Sequence, residues 1–276
     1  MTIGEGPGME QSSARSRASW PIPVVAALFA LSALVLVVTD DKGQAGPEPR
    51  PASAETTVDL ASLPESTTHT RIKGAPKDPR PGKLPKGTVV HPKKVLPLYD
   101  APDGKPFAKI GPRQFGDTWL PVITRNRDWV QVLLPSKPNG STGWLRSSQL
   151  AQAHSRFMVR VDLGERSLEL LEDNRPLGRW AVAIGASKTP TPTGRTFVLG
   201  QLVDDKQPFS PVILPLGTHS ATLDSYGGGP GTVALHGWTD PSVFGKAVSH
   251  GCVRVPDDAL EALRQVPIGT PVLVKA

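Results

Sequence analysis

The pattern of apolar and polar positions divides the chain into three regimes. Residues 22–38 are apolar with no charge. Residues 41–89 show no apolar period. From about residue 90 onward, short alternating runs are separated by turn residues, which is how half-buried strands read. In the first part of that region the runs are 95–99, 118–123 and 129–134, with turn signals at 100–104, 125–128 and 135–143. In the second part, 157–163, 166–172 and 179–185 alternate across turns at Gly164-Glu165 and Asp173-Asn174. This predicts a β-meander with one buried face. Residues 196–198 close a further strand after a Pro- and Gly-containing turn. Residues 200–226 read as irregular because of Pro208, Pro211 and Pro215. A glycine-rich turn at 227–231 then leads into a strand at 232–235 that delivers His236. Pro256, Asp257 and Asp258 suit the start of a short helix over 259–263, and 271–274 predicts a last strand. The expected fold class is mainly β.

The apolar run, with Trp20 and Thr39 as its ends, just spans a hydrocarbon core of about 30 Å at about 1.5 Å per residue. Arg15 and Arg17 precede it and Asp40 and Asp41 follow. The positive-inside bias puts residues 1–19 in the cytoplasm and everything after residue 40 outside. The expectation is a single-pass cell-membrane protein anchored through residues 20–39. A cleaved signal peptide is the competing reading, but the run exceeds a usual h-region and no small-x-small site follows closely. Residues 40–89 are rich in Pro, Ser, Thr and charge and predict a solvated, semi-rigid linker. Its second half is basic (Arg71, Lys73, Lys77, Arg80, Lys83, Lys86), with Asp78 opposing. Contact with anionic wall polymers or lipid headgroups is the functional alternative to a plain solvated spacer. Two β regions follow, at 90–150 and 155–275.

Composition sharpens this picture. With 30 prolines and 27 glycines in 276 residues, one compact helical domain is excluded. The net charge of +6 suits anionic surfaces or ordinary solubility, and no nucleic-acid partner is expected. The single cysteine, Cys252, excludes an intramolecular disulfide. In an exported protein an unpaired thiol is either buried and inert or kept for reactivity. Cys252 stands in a window with His236, His250 and Arg254. A thiol nucleophile needs a base to ionise it and positive charge to hold the thiolate, and this window supplies both. Zinc ligation by Cys252, His250 and His236 is the weaker alternative, since the usual paired spacings are missing. Neither a metal nor a cofactor is called for.

The window reads His236-Gly237, Phe244-Gly245, then Ser249-His250-Gly251-Cys252-Val253-Arg254. It resembles the signature of the L,D-transpeptidase (YkuD) catalytic domain. The Thr-Pro-x-Gly turn at 191–194 agrees with that family as well. The resemblance implies a YkuD-type β-sandwich and action on the stem peptides of peptidoglycan. It implies Cys252 as nucleophile and His236 as base and then acid, with the Gly237 carbonyl orienting the imidazole. Arg254 would lower the thiol pKa and bind an anionic substrate group. Amides around Gly251 and Cys252 would form the oxyanion hole. His250 ranks below His236, with a role in positioning the thiol or shaping the pocket. Ser249, Gly251, Tyr226 and Trp238 are expected at the substrate. Trp238 departs from the small polar residue the family often carries there, which bears on acceptor choice. His219 and Ser220 are weaker candidates, and His219 reads as a surface-loop residue.

The pair 128–132 and 143–146, each with a tryptophan, resembles a bacterial SH3-like domain. That implies a small β-barrel at 90–150 able to hold wall peptides or glycan. Trp119, Trp129 and Trp144 are then either its core, the reading preferred here, or its ligand platform. Three functions follow for the whole chain. It is an L,D-transpeptidase, or an L,D-carboxypeptidase trimming stem peptides, or a non-catalytic wall-binding protein. The intact Cys252, His236 and Arg254 favour an enzyme.

Overall fold

The computed structural model describes residues 58–203, 209–225 and 229–276. The expected tail, the anchor at 20–39 and residues 40–57 lie outside the described residues, as does Tyr226. Among the described residues no helix is long and apolar enough to cross a membrane. The described residues fall in one compact unit, Glu55–Ala276.

The unit is mainly β. Its first sheet contains β1 (Thr88–Pro92), β2 (Leu96–Tyr99), β3 (Pro106–Ile110), β4 (Leu120–Asn126), β5 (Trp129–Leu133), β6 (Thr142–Arg146) and β7 (Leu150–His154). They are ordered β3-β2-β6-β5-β4-β1-β7. Leu96, Leu98, Ile110, Leu120, Val132 and Leu145 form its core. Trp129 is buried at 4% exposure, whereas Trp119 and Trp144 are half-buried.

The second half begins with the predicted meander, β8 (Phe157–Asp162), β9 (Ser167–Glu172) and β10 (Arg175–Ala181). The short strands β11 (Ile184–Gly185) and β12 (Gly194–Phe197) follow, then β13 (Ile213–His219) and β14 (Thr232–Gly237). The chain ends in β15 (Ala247–Ser249), β16 (Val253–Val255), the helix α1 (Asp257–Leu263) and β17 (Pro271–Lys275). One sheet runs β10-β9-β8-β17-β12 and another β13-β14-β16, while β11 pairs with β15. One apolar core joins Val159, Leu168 and Val272 of the first of these sheets to Leu214, Leu235, Val253 and the α1 residues Leu260 and Leu263. Alternating apolar positions on both sheets bury their inner faces against each other, at roughly 25 cal/mol per Å² of apolar area.

Two expectations change. The linker reading fails from residue 58 onward, where the chain is a strap laid along the first sheet. Ser66 N–H donates to Lys109 O at 2.8 Å, Ile72 N–H to Lys137 O at 2.9 Å and Asp78 N–H to Gly140 O at 2.7 Å. Ser66, Thr68 and Ile72 are buried. Backbone pairing, with little apolar surface, holds the strap, so hydropathy could not reveal it. It also covers β3, which would otherwise be an open sheet edge. The second change is His219, which is no surface-loop residue. It ends β13 at 1% exposure, and its Nε2 lies 2.8 Å from Thr68 O. Pro211 and Pro215 suggested irregular chain, yet Pro215 sits in β13 next to a register shift, where a strand tolerates the missing N–H.

Candidate active site

The site is built on two neighbouring parallel strands. β14 and β16 pair Leu235 with Val253, His236 with Arg254 and Gly237 with Val255. Residues two apart on a strand point to one face. Cys252 therefore stands level with Ala234, and the thiol, the His236 imidazole and the Arg254 guanidinium share a face. The buried, apolar positions of these strands, Leu235 and Val253, point the other way into the core.

The turn that carries Cys252 is fixed from below. Gly251 has φ +118°, a backbone state that side chains rarely adopt. Its N–H donates to Ser249 Oγ at 3.1 Å, and that hydroxyl donates to Cys252 O at 2.5 Å. The Pro-rich turn after β11 supports the same residues. Thr191 Oγ1 accepts from Gly185 N–H and donates to Gly251 O, both at 2.8 Å. Thr189 Oγ1 donates to Ser249 O at 2.9 Å. The close approach needs Gly185, since a Cβ there would collide with the Thr189 carbonyl. A turn that looks merely rigid in the sequence is thus the brace of the cysteine turn. Thr191 is 4% exposed, so Thr191→Val strips two buried backbone groups of their partner. The expected loss is about 1–3 kcal/mol, read as a lower denaturant midpoint. An unchanged midpoint would remove this role.

The electrostatics of the pair are set by burial. His236 is 8% exposed, and its Nδ1 lies 2.7 Å from Gly237 O. A carbonyl can only accept, so Nδ1 carries the proton and Nε2 keeps its lone pair. Burial first, then the Arg254 charge, hold the imidazole down to about 4, against the pull of the Gly237 hydrogen bond. Cys252 is half-buried. Burial pushes its thiol up, and the Ala234 backbone and the Arg254 charge offset only part of that. Arg254 does favour the thiolate, but burial outweighs it. At rest the thiol and the imidazole are both neutral.

The other expected site residues divide. Gly237 is buried, and its N–H donates to Ser210 Oγ at 2.8 Å. Ser249 and Gly251 are buried within the cysteine turn, and Trp238 is half-buried with its ring 3.5 Å from the Arg254 guanidinium carbon. His250 is exposed. Ser220 Oγ accepts from the Thr222 and Leu223 N–H groups, a turn bond away from the pair. Phe209 escaped the sequence reading, although its ring centre is 5.2 Å from that of His236. It lies in the stretch that prolines make look irregular. Among the described residues no cluster of three His, Cys, Asp or Glu could hold a metal ion.

The YkuD family model, the L,D-transpeptidase catalytic domain, matches residues 156–274. The "Putative L,D-transpeptidase YkuD" of Bacillus licheniformis is 33% identical over 167 residues, covering 58% of this chain and 94% of that protein. The chain belongs to the L,D-transpeptidase (YkuD) family. The protein of the same name from Bacillus subtilis is 31% identical over 119 residues, 43% of this chain and 65% of that protein, just under two thirds of its length. Among solved structures, an L,D-transpeptidase from Mycobacterium smegmatis aligns over 54% of this chain and 91% of its own, with 15% identity and a TM-score of 0.35. The family match spans the elements from β8 to β17, and so includes every residue of the thiol–imidazole–guanidinium face.

Buried neutral histidines also tie stability of this family member to pH. Burial lowers both His219 and His236. The unfolded chain binds protons below about 6.5 that the folded chain refuses. The stability they confer is complete above about 6.5 and is lost as pH falls below it, for His236 as pH nears about 4. For His236, a drop from 6.5 to about 4 is worth roughly 3 kcal/mol. The urea midpoint should be flat from pH 7 to 8 and fall below 6.5. His236→Gln should flatten that slope, and an identical slope in the variant would refute the attribution.

Proposed function

We propose that this protein is a cysteine L,D-transpeptidase that cross-links stem peptides of peptidoglycan. The observation that carries the reading is the shared face of Cys252, His236 and Arg254, with the imidazole tautomer fixed by Gly237 O. His236 Nε2 takes the thiol proton as Cys252 Sγ attacks the carbonyl at the L-centre of the donor peptide's third residue. Gly251 N–H is already engaged by Ser249 Oγ, so the oxyanion falls to the Cys252 amide. The tetrahedral adduct collapses to a thioester. The C–N bond breaks, and D-alanine leaves with the proton from His236. An amine of a second stem then attacks the thioester, His236 takes its proton, and the Cys252–acyl bond breaks as the sulfur is reprotonated. Arg254 supplies positive charge for the developing anion and for an anionic substrate group. The apolar run at 20–39 would hold this chemistry on the outer face of the membrane, next to its polymer.

The test is mass spectrometry of a tetrapeptide muropeptide incubated with the full-length chain. A cross-linked dimer with free alanine, and a thioester adduct on Cys252, is the expected result. Tripeptide without dimer would convert the assignment to L,D-carboxypeptidase. Binding without turnover would replace it with a wall-binding protein.

A further inference from the structure

His236 is walled by aromatic rings. Phe209 meets it at 5.2 Å between centroids and 66°, and Trp238 at 6.1 Å and 63°. The two rings also meet each other, at 5.3 Å and 47°. The Arg254 guanidinium carbon lies 3.5 Å from the Trp238 ring centre, well inside cation–π range. Phe209 is held in place by its neighbour. The Ser210 hydroxyl accepts from Gly237 N–H at 2.8 Å and donates to Val212 O at 2.6 Å. The stretch before β13 is thereby pinned against the end of β14, with its phenyl ring toward the imidazole.

We propose that Trp238 is a positioning residue for His236 and Arg254: braced by Phe209, its indole walls the imidazole from water and seats the guanidinium. The proposal rests on His236 as the base of the proposed reaction. Trp238 directly follows the pair His236-Gly237, so it reaches the imidazole and the guanidinium of the neighbouring strand at once. A small polar side chain at this position could do neither. Among the described residues the charged group acting on His236 is Arg254, from the neighbouring β16. From the other side Phe209, Ser210 and the paired Ile213 bring no charge. Removing the indole therefore acts on His236 in one direction. Water enters, the desolvation that disfavours imidazolium falls, and the Arg254 charge is better screened.

The test uses the full-length chain and the variants Trp238→Phe, Trp238→Leu and Phe209→Leu. Two readouts are followed from pH 4 to 9: the nitrogen-15 shifts of the His236 imidazole, and kcat/KM for alanine release. Trp238→Phe keeps a smaller ring against both groups and should move the titration less than Trp238→Leu does. Trp238→Leu should titrate about one unit higher or more, with an acid limb moved to match. At pH values below that limb it loses roughly tenfold in relative kcat/KM per unit moved. Its KM for the donor should also rise, because the guanidinium loses its seat. Phe209→Leu should move the titration the same way by less, and it carries the test if circular dichroism shows Trp238→Leu unfolded. An imidazole titration unchanged in the folded variants would overturn the proposal. If the wild type releases no alanine, the enzymatic assignment fails separately, and the nitrogen-15 titration still decides whether the wall exists.

Discussion

Cys252→Ala should fold normally and release no alanine, while His236→Gln should slow turnover by roughly 10²–10⁴-fold, the usual worth of a positioned base. The reason for separating the two lies in the resting state. Burial pushes the Cys252 thiol up and holds His236 down to about 4. The stored form is thus neutral thiol and neutral imidazole. The thiolate arises only as the carbonyl is attacked and the proton moves to Nε2. A base is then needed within the transition state, and its loss cannot be recovered by a thiolate already present. The same state fixes the pH profile. In the wild type kcat/KM should be flat through neutrality and fall only as pH approaches about 4, where His236 takes up a proton. His236→Gln should lose that acid limb. Alkylation of Cys252 by iodoacetamide at pH 7 should be slower than that of a free thiol. A wild-type acid limb near 6.5, or rapid alkylation at pH 7, would replace the neutral pair with a thiolate–imidazolium pair.

Much of this site is legible in the sequence because its residues are close along the chain. Cys252 and Arg254 are two apart and therefore share a face once β16 is a strand. Apolar patterning also gave β8, β9, β14 and β17 near their observed bounds, β8 and β9 through alternation and β14 and β17 as short apolar runs buried on both faces. What could not be read has one common cause: contacts made by backbone or by residues distant in sequence. β13 hid behind Pro211 and Pro215, and with it the burial of His219 and the placing of Phe209. The first two residues of β1, Thr88 and Val89, fell within what composition marks as linker. Thr191 looked like one more turn residue, because its hydroxyl bonds reach Gly251, sixty positions away. The net thiol pKa was also beyond sequence. The charge of Arg254 is visible there, but the burial that outweighs it is not.

The strap offers the second large effect. Asp78→Ala should cost about 3–5 kcal/mol of folding stability, the toll of leaving a buried charge without its partner. The Asp78 and Arg195 side chains are 2% and 3% exposed. Arg195 Nε and Nη2 each donate to a carboxylate oxygen of Asp78 at 2.5 Å, and Nη1 donates to Lys83 O at 2.8 Å. One guanidinium on β12 of the meander sheet therefore holds the strap at two points. Removing the carboxylate strands that guanidinium in a site with little water, whereas Asp78→Leu combined with Arg195→Met removes both desolvation costs together. The double variant should recover most of the loss, and urea unfolding of the single and double variants measures it. Limited proteolysis adds a local readout, because Lys77, Arg80, Lys83 and Lys86 are exposed along the strap. Trypsin should cut there faster in Asp78→Ala than in the wild type or the double variant. A chain begun at residue 85 should behave like Asp78→Ala or worse, since it also loses Ile72 from the first core. A loss below about 1 kcal/mol in Asp78→Ala, the scale of a surface pair, would return residues 58–87 to the role of a plain linker.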